Sequence, residues 1–205
     1  MTFGDSITDG ATSTNDANAS WPSVLARRLQ AAGMKNVAVL NEGISGNRVV
    51  RDGTGANALA RFDRDVLAQP GVKYLVIMEG INDIGQGTRD GAPADAAITA
   101  DELIAAYRQM AARAHERGIK VIGATLIPYE GAAYYSAAGE VIRSTVNNWI
   151  RTSGAYDAVF DFDAVIRDAS NPKHFRAEFN IRDNLHPNDT GYAAMADSID
   201  LSIFK

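Results

Sequence analysis

The five residues Tyr74-Leu75-Val76-Ile77-Met78 constrain the fold more than any other part of the chain. They are apolar without alternation. A strand with one wet face alternates, whereas a strand covered on both faces reads as a continuous apolar run and belongs to a parallel sheet. Parallel strands need crossover connections, usually helices. The rest of the chain supplies them. Ser20-Trp21-Pro22-Ser23 reads as a helix start, with Ser20 as cap and Pro22 in the first turn. Val24, Leu25 and Leu29 then recur on one face up to Gly33. Leu59, Phe62 and Val66 give a helix over 56–67 a single apolar face, and further helices are expected over 94–117, 141–152 and 190–203. Short strands are expected at Val37–Leu40, Val121–Ala124 and Ala158–Asp161, and segments 80–93, 128–136 and 175–187 read as loops. Helices thus alternate with short apolar strands. The simplest layout is a three-layer α/β/α sandwich, with helices on both faces of a mostly parallel sheet.

The length of 205 residues suits one domain, 1–205, with a sizeable core, and no repeat or low-complexity linker divides it. The formal net charge is −5, and no basic stripe is present, which argues against a nucleic-acid partner. The absence of cysteine excludes disulfides and thiolate metal sites, and leaves the redox compartment open. No apolar run reaches the length of a transmembrane segment. No signal peptide precedes the first motif, so the compartment is not assigned. A strand leading into Gly4 would ordinarily carry more apolar residues than Met1-Thr2-Phe3, so a natural N-terminal extension is expected to be missing.

Sites in open α/β sheets lie beyond the carboxyl ends of the strands. Four polar segments follow strands or loops in this way. In Phe3-Gly4-Asp5-Ser6-Ile7-Thr8-Asp9-Gly10, Gly4 permits a tight turn that can point Ser6 Oγ into the crevice. The full Gly-x-Ser-x-Gly elbow is absent, so a plain turn or helix cap is an alternative. In Asn41-Glu42-Gly43-Ile44-Ser45-Gly46-Asn47, Gly46 offers an unhindered N–H, or simply a loop. In Gly80-Ile81-Asn82-Asp83, Asn82 can aim its amide into the same crevice or close an Asx turn. In Asp183-Asn184-Leu185-His186-Pro187, the three-residue spacing brings a carboxylate to an imidazole, unless His186 is an ordinary surface residue. A serine nucleophile, a histidine base and an orienting carboxylate are the parts of covalent acyl transfer. His115 lies near a helix end and His174 in a polar loop, and neither has metal-site spacing.

These four blocks, in this order from end to end of the chain, resemble those of the GDSL, or SGNH, hydrolase family. The resemblance implies a flavodoxin-like fold with a five-stranded parallel sheet between helices. It implies that Ser6 is the nucleophile, His186 the base and Asp183 its orienting partner. The N–H groups of Ser6 and Gly46 and the amide of Asn82 would form the oxyanion hole. It implies no cofactor and no metal. The wording around Ser6 and Asn82 leans towards bacterial members that are often secreted and sometimes accompany polysaccharide-degrading modules. The implied activity is hydrolysis of short-chain carboxylic esters. Carbohydrate O-acetyl removal, acyl transfer to an alcohol, and a non-catalytic carbohydrate-binding domain are the alternatives. The expected partner is a small-molecule or saccharide ester, and no feature of the sequence indicates an oligomeric state. Loops 85–93 and 127–138 are expected to wall the crevice, and Tyr129, Tyr134 and Tyr135 either stack on a sugar or aryl group or cover apolar surface. The chain has no long apolar lid segment, which favours short acyl groups.

Overall fold

The computed structural model describes all residues, 1–205. Five parallel strands form one sheet in the order β2-β1-β3-β4-β5. They are β1 (Thr2–Gly4), β2 (Asn41–Gly43), β3 (Tyr74–Met78), β4 (Lys120–Ala124) and β5 (Ala158–Phe160). The chain order reverses between β1 and β3, which is the switch point where a crevice opens at the carboxyl edge. β3 is buried along nearly its whole length, as its unalternating sequence requires. β1 has only three residues, yet it is paired on both sides, with Phe3 opposite Glu42 and Ile77.

Helices α1 (Ser6–Asp9), α2 (Trp21–Ala31), α3 (Ala58–Phe62), α4 (Ile81–Thr88), α5 (Ala100–His115), α6 (Ala137–Thr152), α7 (Phe162–Ile166) and α8 (Asp189–Asp197) complete the chain. α2 packs on α8 and α8 on α7, while α3, α5, α6 and α4 pack in a separate group. These are the outer layers of the three-layer α/β/α sandwich. One apolar core runs through it, from Trp21 and Phe162 on one side to Phe62, Tyr107 and Met110 on the other.

The element boundaries depart from the sequence reading in several places, among them α6, which starts at Ala137 and not 141, and α7, which was not expected. The second strand is Asn41–Gly43, not Val37–Leu40, because pairing begins where Thr2 N–H donates to Leu40 O, at 2.8 Å. As an edge strand, β2 needs no apolar run. Segment 80–93 is not all loop. Its Ile81 and Ile84 are buried in helix α4, disguised by Gly85 and Gly87. The helix expected over 94–117 is broken: a short 3₁₀ turn, Ala94–Ala96, precedes Thr99, which caps α5 in a box with Glu102. The helix expected over 56–67 continues beyond α3 as a π turn, Asp63–Leu67. The last helix ends at Asp197 and a 3₁₀ turn, Leu201–Phe204, follows.

Candidate active site

Ser6 opens α1 immediately after β1. Asp5 caps that turn, its Oδ1 accepting the Ile7 N–H at 3.0 Å. The turn is tight because Gly4 has no side chain: a Cβ there would lie 2.1 Å from Met78 O of β3 and 2.4 Å from Thr8 Oγ1. Ser6 is 6% exposed, open enough to meet a reactant but held in place on all other sides.

The fold brings the opposite end of the chain to this serine. Ser6 Oγ lies 2.8 Å from His186 Nε2, across 180 residues of sequence. His186 Nδ1 lies 2.6 Å from Asp183 Oδ2. An ionised carboxylate can only accept, so the Nδ1 of a neutral imidazole carries the proton and Nε2 accepts from the Ser6 hydroxyl. The turn that makes this contact is built from asparagines. Asn180 Oδ1 accepts the N–H groups of Arg182, at 2.8 Å, and Asn184, at 3.2 Å. Arg182 and Asn184 adopt left-handed backbone, with φ of 82° and 58°. Asp183 Oδ1 accepts the N–H groups of Leu185 and His186, each at 2.9 Å. Burial raises the Asp183 carboxyl, but the His186 N–H, the His186 ring and the Leu185 N–H outweigh it and hold the carboxyl below its ordinary range.

The segments after β2 and β3 converge on the same crevice. Asn82 Nδ2 donates to Asn47 O at 3.0 Å. Asp83 ties the two segments again, accepting Val49 N–H at 2.7 Å and Val50 N–H at 3.3 Å. Gly46 has φ of 79°, and a Cβ there would stand 2.8 Å from Thr54 Oγ1. The backbone N–H groups of Ser6 and Gly46 donate to no acceptor in the protein. All five residues singled out in the sequence therefore lie at this edge, in four segments bonded to one another. The other two histidines are engaged elsewhere, His115 with Asp157 and His174 with Glu130, each at 2.8 Å. No group of three or more His, Asp or Glu side chains converges in metal-ligand fashion.

Beneath the serine lies a layer that the sequence reading missed. Arg61 of α3 is fully buried, its guanidinium 3.9 Å over the Phe3 ring. It donates to Gly4 O at 3.1 Å, Glu42 O at 2.8 Å and Asn47 Oδ1 at 3.0 Å, and lies 3.6 Å from Glu79. It thus ties together the carboxyl ends of β1, β2 and β3. Asp5, Glu79 and Asp83 are buried around it. Burial pushes Asp5 up to about 7 and Asp83 up to about 6, and raises Glu79 well above its ordinary value. An arginine in a helix of mixed charge carries no sequence signal for such a role.

Of the three tyrosines expected at the rim, Tyr129 is fully buried and packs on Tyr135 with ring centroids 5.0 Å apart. It covers apolar surface and presents no face to a ligand. Tyr134 turns inward and donates to Asn82 Oδ1 at 3.2 Å, and Tyr135 donates to Glu130 at 3.0 Å. A polar cleft of about 390 Å³ opens beside α1, lined by Asp9, Thr12, Ser13, Thr14 and Asn18 among others. Thr12 Oγ1 donates to Pro187 O, next to His186, at 2.9 Å. A more apolar cavity of about 260 Å³, lined by Met1, Leu29, Tyr74 and Phe204, lies at the opposite edge of the sheet and plays no part in this site.

A serine, a histidine and an aspartate are thus hydrogen-bonded in series at the switch point of a three-layer α/β/α fold. A model of the GDSL-like Lipase/Acylhydrolase family matches residues 2–194, and the chain belongs to that family. No curated protein sequence matches it. Among solved structures, a variant of Axe2, an acetyl xylan esterase from Geobacillus stearothermophilus, is 24% identical with a TM-score of 0.73, over 96% of this chain and 90% of that one. LAE5, an alpha/beta hydrolase enzyme from the metagenome of Lake Arreo, Spain, is 21% identical with a TM-score of 0.74, over 96% and 90%. A GDSL-like lipase from Bacteroides thetaiotaomicron is 21% identical with a TM-score of 0.71, over 99% and 86%. At these identities the likeness is one of fold.

Proposed function

We propose that the protein hydrolyses short-chain carboxylic esters through an acyl-enzyme on Ser6. The observation that carries this reading is the unbroken hydrogen-bonded chain from Ser6 Oγ through His186 to Asp183, at 2.8 and 2.6 Å. Ser6 Oγ attacks the ester carbonyl carbon while His186 Nε2 takes the hydroxyl proton. Asp183 keeps the imidazole in the tautomer that can accept it and stabilises the imidazolium. The carbonyl oxygen becomes an oxyanion, which the N–H groups of Ser6 and Gly46 and the Asn82 amide receive. Losing one such donor typically costs about 2.7–4 kcal/mol of barrier. His186 then protonates the leaving alkoxide as the C–O bond breaks. Water, deprotonated by His186, attacks the acyl carbon and releases the acid and free Ser6.

A specific observation favours O-acetylated saccharides within this class. The cleft beside α1 includes none of Ser6, Asn82 or His186 but adjoins the histidine turn through the Thr12–Pro187 contact, and it is lined by carboxylate, hydroxyl and amide groups. Such a wall suits a polyol leaving group better than a long aliphatic one. The fold shared with Axe2, an acetyl xylan esterase, accords with this.

Ser6→Ala is expected to abolish ester turnover with an unchanged circular dichroism spectrum. Mass spectrometry after treatment of the native enzyme with an organophosphonate is expected to find the adduct on Ser6. An active variant, or an adduct elsewhere, would overturn the assignment. With one common alcohol, kcat/KM is expected to peak among acetyl and other short acyl groups. Each buried methylene adds at most about 0.8 kcal/mol, and only until the pocket is full. A maximum at octanoyl or longer would contradict the short-chain reading.

A further inference from the structure

We infer that Tyr134 is a positioning residue for the reaction, holding the Asn82 amide in the one orientation that presents an N–H to the oxyanion. The inference rests on the ester-hydrolase reading above, and it starts from the hydrogen-bond arithmetic of one side chain. An asparagine amide has two ends of similar shape and opposite polarity. The end of Asn82 that meets Asn47 O, at 3.0 Å, must be the NH₂, because a carbonyl can only accept. The other end, Oδ1, faces the Tyr134 hydroxyl at 3.2 Å, so the phenol donates. Both ends are thereby fixed. One Nδ2–H is committed to Asn47 O and the second has no acceptor in the protein. Without the phenol, Oδ1 would be a buried acceptor with no partner, and the Asn47 carbonyl alone would hold the amide. The donated bond also draws electron density from the amide and makes the remaining N–H a better donor.

Three further features hold the phenol in place. Gly85 lies on α4 one turn after Asn82, and a Cβ there would stand 2.1 Å from Tyr134 Cδ2, so the ring occupies the space that the glycine leaves. The ring also packs towards buried Tyr129, with centroids 6.1 Å apart. The loop itself is tied to the turn that carries Asp183 and His186, since Asn184 Nδ2 donates to Gly131 O at 3.3 Å. Burial pushes the Tyr134 phenol well above its ordinary pKa, so the hydroxyl keeps its proton at any pH where an esterase of this kind works. One short loop therefore sets both the oxyanion donor and the base relative to Ser6.

The test is a double-mutant cycle on the full chain with a short-chain ester, assayed well below each variant's melting temperature. Tyr134→Phe keeps the ring and removes the donor. It is expected to lower kcat roughly tenfold, the worth of about one hydrogen bond, with KM little changed. Asn82→Ala is expected to lower kcat by about 10²–10³-fold. In the Asn82→Ala background, Tyr134→Phe is expected to cause no further loss, because the group it positions is gone. Native kcat in Tyr134→Phe would overturn the inference, as would the same tenfold loss in both backgrounds. Native kcat in Asn82→Ala would instead overturn the oxyanion role of Asn82, a distinct failure that removes the ground for both.

Discussion

At the scale of single residues, the site depends on which groups are small enough to let backbones meet. Gly4 is the sharpest case, because the atom that a Cβ would strike, at 2.1 Å, is Met78 O, a backbone atom of the neighbouring strand. A flexible side chain can move aside and a strand carbonyl cannot. Gly4→Ala is therefore expected to destabilise the protein at or above the upper end of the roughly 1–3 kcal/mol typical of overpacking. A lowered urea midpoint with an unchanged m-value, together with loss of turnover, is the expected result. A native midpoint would show that β1 and β3 separate at little cost. Ser6, Gly46, Asn82, Asp183 and His186 were all legible in the sequence as members of glycine- and asparagine-rich blocks, and the structure brings them to one edge. Arg61 was not legible, although its guanidinium reaches Gly4 O, Glu42 O and Asn47 Oδ1. Its role comes from three partners remote in sequence, and nothing in Ala58-Leu59-Ala60-Arg61-Phe62 distinguishes it from a solvated arginine. Tyr134 lay among the expected rim residues, but only the tertiary structure aims it at Asn82.

At the scale of elements, the apolar runs at β3 and β4 mark strands, but the equally continuous run Val37–Leu40 does not. β3 and β4 lie where their sequences indicate, whereas β2 is written Asn-Glu-Gly and owes its place to backbone pairing with β1. The sequence of α4 resembles a loop because Gly85 and Gly87 lie in it. Its helical state is carried by buried Ile81 and Ile84, and the glycines make room for Tyr134 and for the Ala96 carbonyl. Close packing thus outweighs helix propensity there. The start of α8 matters most to the site, since Asn188 follows His186 by two residues. Its Oδ1 accepts Gly191 N–H at 2.9 Å as the helix cap, and its Nδ2 donates to Glu178 O at 2.8 Å. Asn188→Ala removes both bonds. It is expected to cost about 0.5–2 kcal/mol of stability, as lost N-caps do. Because the same residue anchors the exit from the histidine turn, kcat is expected to fall while KM holds. Thermal melting and steady-state kinetics check the two parts separately, and unchanged melting would exclude the capping role.

At the scale of the whole molecule, the chain closes on itself so that the turn after its first strand meets the segment before its last helix at the switch point, and the arrangement places ionisable groups beneath the nucleophile. Asp5, Glu79 and Asp83 are buried near the guanidinium of Arg61, which also bonds Asp65, while Arg48 is the cation nearest in effect to Asp83, and neither Glu79 oxygen has a hydrogen-bond partner. Burial raises all three carboxyls, Asp5 to about 7 and Asp83 to about 6. The sign of the consequence follows from proton counting. Between the ordinary carboxylate range and about pH 7 the native state binds more protons here than the unfolded chain, so raising the pH through that window lowers stability. Each carboxyl titrating in the native state contributes a slope of up to about 1.4 kcal/mol per pH unit. Asp161 and Asp183 act in the opposite sense. Burial raises each of them, but hydrogen bonds and nearby charge outweigh it and hold both below their ordinary values, so the stability they supply is lost only in stronger acid. The stability maximum is therefore expected on the acid side of neutrality, near pH 5. Urea midpoints measured from pH 5 to 8 are expected to fall across that range. Glu79→Gln, which keeps the shape and removes one titrating group, is expected to flatten the fall. A native enzyme whose midpoint rises towards pH 8 would mean that Arg61 holds these carboxyls ionised, with their pKa values low. The layer beneath Ser6 would then be a fixed ion cluster and not a protonated one.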